Sequence, residues 1–375
     1  MGGSGMRIGV LTSSRADYSI YYPLLTALAE DPFFDLDILA FGTHLSARHG
    51  HTVDQIVANG FSVKHRIDTL PAGDAPADIS HAMGSVMQAF SALWPQENYD
   101  LVLCLGDRFE MFAAVASAVP FNLPVAHIHG GETTLGAIDN AFRHAITVMS
   151  TYHFATTDAY KARVIELTGS ARNVYNVGAL SIDNLRHLTL LTKAEFFEKF
   201  AIDLDQPSIL ITFHPETVSF EKNREHVAEL IGALGQLSAY QLIITMPNTD
   251  TMGNYVREHL LAFIDRQPNA VGVESFGTIG YLSCMKYCRF MLGNTSSGFV
   301  EASFFPKYVI NLGNRQEGRL ITSHIINCAI EASQILEAVR TIENAGPPAP
   351  VDAYGNGTTA QQIVSILKQI RGRLQ

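Results

Sequence analysis

The chain has 375 residues, of which 47% are hydrophobic and 17% charged, with a formal net charge of −10. That length calls for two domains, because single hydrophobic cores rarely keep growing past roughly 250–300 residues. The acidic balance argues against nucleic acid as a partner, since binding a phosphate backbone needs a broad basic face, and no apolar run approaches the roughly 18 residues that a membrane helix requires, so no membrane partner is expected.

Residues 1–5 (Met1-Gly2-Gly3-Ser4-Gly5) have no charged n-region and no apolar h-region. They read as an added leader ahead of a start at Met6, and a cytoplasmic location is the expectation. Short apolar runs then alternate with helical-period segments, the pattern of a parallel sheet covered on both faces. Strands are predicted at 6–13, 34–42, 100–106, 124–129, 152–156 and 173–178, with helical segments at 21–30, 79–93, 111–119 and 158–167. This is one doubly wound domain over 6–178. A hinge near 178–181 leads to a second domain over 179–356, with strands at 208–213, 241–246, 270–274, 289–293 and 307–312. Gly346-Pro347-Pro348-Ala349-Pro350 and Gly355-Asn356-Gly357 break the chain before a final helix at 358–371, within a last segment 357–375.

The first strand runs into Thr12-Ser13-Ser14-Arg15-Ala16-Asp17-Tyr18 without the G-x-G-x-x-G of dinucleotide sites, which speaks against an ordinary NAD enzyme. Cys104, Cys284, Cys288 and Cys328 show no C-x-x-C or zinc spacing and read as reduced thiols.

In open parallel sheets ligands bind beyond the carboxyl ends of the strands. There the second domain carries Gly293-Asn294-Thr295-Ser296-Ser297-Gly298, read as a strand-to-helix turn whose free N–H groups and hydroxyls suit a diphosphate. A plain capping turn is the bland alternative. Glu301, early in the helix expected to begin at Phe299, could accept both hydroxyls of a ribose, and Arg15, Arg315 and Arg319 look like an anion clamp. His214 ends its strand facing the same expected cleft. The first domain brings Gly106-Asp107-Arg108-Phe109-Glu110, His127-Ile128-His129-Gly130-Gly131-Glu132, Asp139 and Arg143-His144 to neighbouring strand ends, where general acids and bases belong. His127 and His129 with nearby carboxylates are also a possible metal set, but the Gly-Gly pair suggests close backbone approach to a ligand, and no metal is expected. His44, His49 and His51 are expected on a loop over the cleft.

These stretches, together with Ser14-Arg15-Ala16-Asp17-Tyr18, Arg143-His144-Ala145-Ile146-Thr147 and Arg315-Gln316-Glu317-Gly318-Arg319, resemble the UDP-N-acetylglucosamine 2-epimerase family, and its hydrolysing branch in particular, from Met6 onward. The resemblance implies an α/β glycosyltransferase-B architecture: two Rossmann-like doubly wound domains, a cleft between them, and a C-terminal helix returning to the first. It implies elimination of the nucleotide with loss of the C2 proton to give a 2-acetamidoglucal, then addition of water at C1 and of a proton at C2 from the other face. No oxidation occurs, so no cofactor is implied. Asp107 and Asp139 match acidic residues implicated in catalysis, and Arg15, His214, Ser296, Ser297 and Glu301 match the nucleotide-contacting set. Arg108, Arg143, Asn294, Thr295, Gly298, Arg315 and Arg319 are grouped with that set, with the base contacted around Phe276. Some relatives carry Glu where this chain has His129, so proton transfer falls to His129 or to Glu132. The implied partner is a nucleotide-sugar, UDP-N-acetylglucosamine foremost, in a homodimer or dimer of dimers. The same chemistry on UDP-N,N′-diacetylbacillosamine or GDP-N-acetylglucosamine, a non-hydrolysing epimerase, a glycosyltransferase of the same architecture and a silent binding regulator are the rivals.

Overall fold

A computed structural model describes residues 5–218, 220–247, 250–305 and 307–374. The leader reading at residues 1–4 therefore lies outside the described residues. Contacts divide the chain into two units, the first holding residues up to Glu132, Asp139–His187 and the stretch from Ala353, the second Thr133–Ile138 and Leu188–Asp352.

The first unit is built on a seven-stranded sheet of β1 (Met6–Thr12), β2 (Phe34–Phe41), β3 (Val63–Ile67), β4 (Leu101–Leu105), β5 (Val125–Ile128), β6 (Tyr152–Ala155) and β7 (Val174–Asn176). Its order is β3-β2-β1-β4-β5-β6-β7, every pairing parallel. β4 reads Leu-Val-Leu-Cys-Leu and is buried throughout, as a strand covered by helices on both faces must be. β3 is an edge strand with one partner and a half-exposed Val-Lys-His-Arg-Ile pattern, which hides it from a search for apolar runs.

The helix Thr359–Leu374 packs Ala360, Ile363, Leu367 and Ile370 into the core of this unit beside Leu24, Leu25 and Leu28. Its first turn is held from a distance. Both carboxylate oxygens of buried Asp183 accept backbone N–H groups, from Thr359 at 3.0 Å and Ala360 at 2.7 Å, and so satisfy donors that a helix start leaves orphaned.

The second unit has six parallel strands, β8 (Ser208–Thr212), β9 (Gln241–Thr245), β10 (Ala270–Val273), β11 (Phe290–Gly293), β12 (Val309–Leu312) and β13 (Ile325–Cys328), in the order β10-β9-β8-β11-β12-β13. That is the Rossmann order, and the six strands from β3 to β6 in the first sheet follow it too. The strand order reverses between β1 and β4 in one sheet and between β8 and β11 in the other. The loops after these four strands are where ligands of such sheets bind. Among the described residues no helix is long and apolar enough to cross a membrane.

Candidate active site

In the first unit the loop after β1 is fixed by its own acid. Ser14 caps the helix Arg15–Glu30, and buried Asp17 accepts from the Ser13 and Ser14 backbone N–H groups at 2.9 and 3.1 Å and from the Thr12 hydroxyl. His44, fully buried, joins Thr12 and Thr52 through its two ring nitrogens, each at 2.8 Å. The expectation of a histidine loop over the cleft is thus corrected for His44, which is a rivet between the loops after β1 and β2. Arg15, half-buried, begins the helix that this loop aims.

Around the ends of β4 and β5 the sequence stretches converge. Arg143, only 2% exposed on the helix Asp139–Met149, bonds the Asp107 carboxylate and donates to the Glu132 carbonyl at 3.0 Å. Arg108 forms a two-point pair with fully buried Glu110, both contacts at 3.1 Å. His129 adopts a left-handed backbone (φ 68°), a strained conformation for a residue with a Cβ, and its Nδ1 stands 3.6 Å from the Glu132 carboxylate. Glu132, 2% exposed, accepts the Thr156 hydroxyl at 3.1 Å. Gly131 can only be glycine, because a Cβ there would meet the Tyr160 carbonyl at 2.3 Å. Asp139, buried, is the first residue of its helix. His127 lies wholly inside, where burial lowers its pKa to about 3, and burial likewise lowers that of His153 to about 4. Imidazoles so held stay neutral and carry no charge to substrate.

In the second unit Gly293 packs so tightly on β8 that an added Cβ would lie 1.9 Å from the Thr212 carbonyl. Asn294, fully buried, accepts from the His214 N–H at 2.7 Å and donates to the His214 carbonyl at 2.8 Å. Its own carbonyl accepts from Gln316 at 2.9 Å and Arg315 at 3.4 Å. Asn294 therefore spends its side chain on setting His214, at the exit of β8. Thr295 and Ser297 hydroxyls meet at 3.3 Å, Ser297 bonds the Tyr281 hydroxyl at 2.6 Å, and Ser296 is exposed. Burial, which outweighs the Ser297 hydrogen bond, holds the Tyr281 phenol above its ordinary pKa and protonated.

The helix expected here is corrected. A 3-10 turn (Ser296–Gly298) is followed by one helical turn, Glu301–Phe304, because the sequence reaches a proline at 306. Four residues cannot sum a full helix dipole, so the hydroxyls and nearby arginines are the chemical assets of this loop. Arg315 lies 3.6 Å from the Asp250 carboxylate, and Arg319 donates to the Gln316 side chain. Phe276 is buried between the Phe196 and Phe200 rings, at 5.3 and 4.8 Å between centroids.

The segment Thr133–Ile138 belongs by its contacts to the second unit, although Glu132 and Asp139 on either side belong to the first. Leu135 N–H donates to the Glu317 carbonyl at 2.8 Å, Ile138 N–H to the Thr217 hydroxyl at 2.9 Å, and a Cβ on Gly136 would meet the Asn314 carbonyl at 2.2 Å. Sequence reasoning missed this docking, as well as Thr156, Tyr281 and Asp250. Among the described residues no group of three or more His, Cys, Asp or Glu side chains is placed to hold a metal ion.

Two parallel sheets of Rossmann order, each with polar side chains gathered where the order reverses, define a two-domain α/β protein of the glycosyltransferase-B type. A family model described as UDP-N-acetylglucosamine 2-epimerase matches residues 26–368, and the chain belongs to that family of enzymes. It is 32% identical over 364 residues to the UDP-N,N′-diacetylbacillosamine 2-epimerase (hydrolyzing) of Legionella pneumophila, covering 97% of this chain and 96% of the relative. It is also 32% identical over 342 residues to the GDP/UDP-N,N′-diacetylbacillosamine 2-epimerase (hydrolyzing) of Campylobacter jejuni, covering 91% and 89%. The solved UDP-GlcNAc 2-epimerase from Neisseria meningitidis, bound to UDP-GlcNAc, superposes with a TM-score of 0.82 at 17% identity over 97% of this chain and all of that one, a likeness of fold.

Proposed function

We propose that the protein is a hydrolysing 2-epimerase of a UDP-linked N-acetylated amino sugar. A base removes the C2 proton as the C1–O bond breaks and UDP departs with the electron pair. Water then adds at C1 and a proton at C2 from the opposite face, so that UDP-sugar and water become UDP and the free 2-epimer. The C2 proton is barely acidic, so charge stabilisation of the departing diphosphate must carry much of the barrier. In this reading Arg15, His214, Ser296, Ser297, Glu301, Arg315 and Arg319 hold the nucleotide, while Asp107, His129 and Asp139 act on the sugar.

The observation that carries the reading is that buried Arg143, on the helix that Asp139 begins, links Asp107 after β4 to Glu132 after β5, and Glu132 in turn faces His129. Of the two candidates beside each other, His129 takes the proton transfer and Glu132 orients it. Glu132 is the more deeply buried, is engaged by Thr156, and faces Nδ1 of His129 as a carboxylate that would support an imidazolium. Release of free sugar is favoured by the names of both relatives at 32% identity. Those names also favour UDP-N,N′-diacetylbacillosamine over UDP-N-acetylglucosamine as substrate, because relatives named for the latter are 25% identical or less.

Incubation of each sugar nucleotide, GDP-N-acetylglucosamine included, in deuterated water tests this by NMR. The expected products are UDP and a free sugar inverted and deuterated at C2. A deuterated product still joined to UDP would make the protein a non-hydrolysing epimerase. Turnover only with an added acceptor, C2 untouched, would make it a transferase.

A further inference from the structure

We infer that His127 is a positioning residue: a buried imidazole that ties the backbone preceding Asp107 to the helix that carries Asp139 and Arg143. The inference rests on the catalytic reading of those residues. His127 is fully buried on β5 and paired with Cys104 of β4, the two strands after which Asp107, His129 and Glu132 lie. Its Nε2 is 2.8 Å from the Gly106 carbonyl and its Nδ1 3.0 Å from the Thr147 hydroxyl. A carbonyl only accepts, so Nε2 carries the proton, and Nδ1 must then accept from Thr147. Both ring nitrogens are spent on fixing neighbours.

What they fix is specific. Gly106 has φ 84° and immediately precedes Asp107, so its carbonyl orientation sets the direction in which Asp107 leaves β4. Thr147 lies one turn beyond Arg143 on the helix that begins at Asp139, and Arg143 bonds both Asp107 and the Glu132 carbonyl. A Cβ on Gly130 would sit 3.0 Å from both His127 Nδ1 and Thr147 Oγ1, so the exit of β5 closes over the pair. The titratable groups around the ring are His153 on β6, His129 beyond β5 and His144 on the helix, and with burial as the main cause they disfavour its protonation. Its hydrogen-bond pattern is thereby held in one tautomer across the working pH range.

Replacing His127 by Phe keeps the bulk and removes both nitrogens. The expected result is a fall in kcat of about 100-fold with KM and the calorimetric Kd for UDP alone within about threefold of wild type, as for a misplacement of roughly 1 Å. His127→Gln keeps an N–H where Nε2 stood and is expected to recover at least about a tenth of the activity, and Thr147→Val to lose about tenfold. Imidazole nitrogen NMR of the wild type is expected to show His127 as the Nε2–H tautomer from about pH 5 to about pH 9. Wild-type kcat in His127→Phe, equal losses in Gln and Phe, or a His127 that titrates in that range overturns the inference. The spectrum requires no turnover. Should the protein act on no sugar nucleotide, the functional reading falls, and the tautomer, with displacement of the Asp107 amide resonance in Thr147→Val, still decides the staple.

Discussion

Arg143 bonds the carboxylate of Asp107, a residue 36 positions earlier in the chain, while another of its nitrogens holds the carbonyl of Glu132. Sequence reasoning grouped Arg143 with the substrate-binding set, yet at 2% exposure it is committed to the protein's own acid and loop. Arg143→Lys replaces a planar fork by a single ammonium that cannot serve both partners. The expected outcome is a loss of about 1–3 kcal/mol in stability and a fall in kcat with KM nearly unchanged, read by urea denaturation and UDP release. A rise in KM alone would put Arg143 on the substrate.

Asp107→Asn and Asp139→Asn remove a proton-transfer charge with little change of shape. Each is expected to depress kcat by about 100-fold or more, the usual range for an acid/base group, with UDP bound as in wild type by calorimetry. Full activity in both would take these residues out of the mechanism.

Asp183 holds the first turn of the helix Thr359–Leu374 through two backbone N–H groups. Asp183→Ala leaves those donors buried without the carboxylate, at a cost of about 1–3 kcal/mol. Hydrogen exchange is expected to accelerate first at residues 359–370, while amides of β8–β12 keep wild-type rates. Protection unchanged at 359–370 would show that the apolar contacts of Ile363, Leu367 and Ile370 alone hold the helix.

Glu97 reports acid stability. Burial opposes its charge, but hydrogen bonds from Lys64, His65 and Arg7 outweigh that and lower its pKa to about 2. A carboxyl lowered in the folded state stabilises fully above its ordinary value of 4.5 and loses that contribution as pH falls towards 2. The stability gap between wild type and Glu97→Gln is therefore expected to be largest near neutrality and to shrink below about pH 4.5. A gap constant with pH would mean that packing, not charge, is what the substitution removes.

The strands covered on both faces were legible because β4 reads as an unbroken apolar run and β8 as an apolar Ile-Leu-Ile centre between Ser208 and Thr212. Edge strands β3 and β13 were not, since half-exposed sequences such as Val63-Lys64-His65-Arg66-Ile67 look like surface loop. The polar residues after β1, β4, β5, β8 and β11 stood out by the rule for open sheets, but the distant partners through which the site is aimed did not. His127, Asn294 and Asp183 grip backbone atoms 21, 80 and 176 residues away, and no local spacing encodes such partners. The helix after Gly298 was overread because its Ser, Thr and Gly residues resemble a cap whether one turn follows or four.

Gly136 tests the segment that runs from Glu132 to Asp139. Its backbone lies against Asn314 and Arg315, so that a Cβ would fall 2.2 Å from a carbonyl oxygen and 2.5 Å from the Arg315 Cα, neither of which is the yielding end of a side chain. Gly318, with φ 91° and an added Cβ 2.5 Å from Thr133 Cγ2, closes the same packing from the other side. Gly136→Ala must therefore displace either 133–138 or 314–319. The first shift moves the chain that leads into Asp139, the second moves Arg315 and Arg319. Either is expected to lower kcat/KM by about tenfold or more, in line with the sensitivity of such sites to small misplacements. Calorimetry with UDP separates them: unchanged affinity places the shift in 133–138, weakened affinity in the arginine loop. Wild-type kcat/KM in Gly136→Ala would mean that the backbone yields there at no functional cost and that the docking of 133–138 does not govern the site.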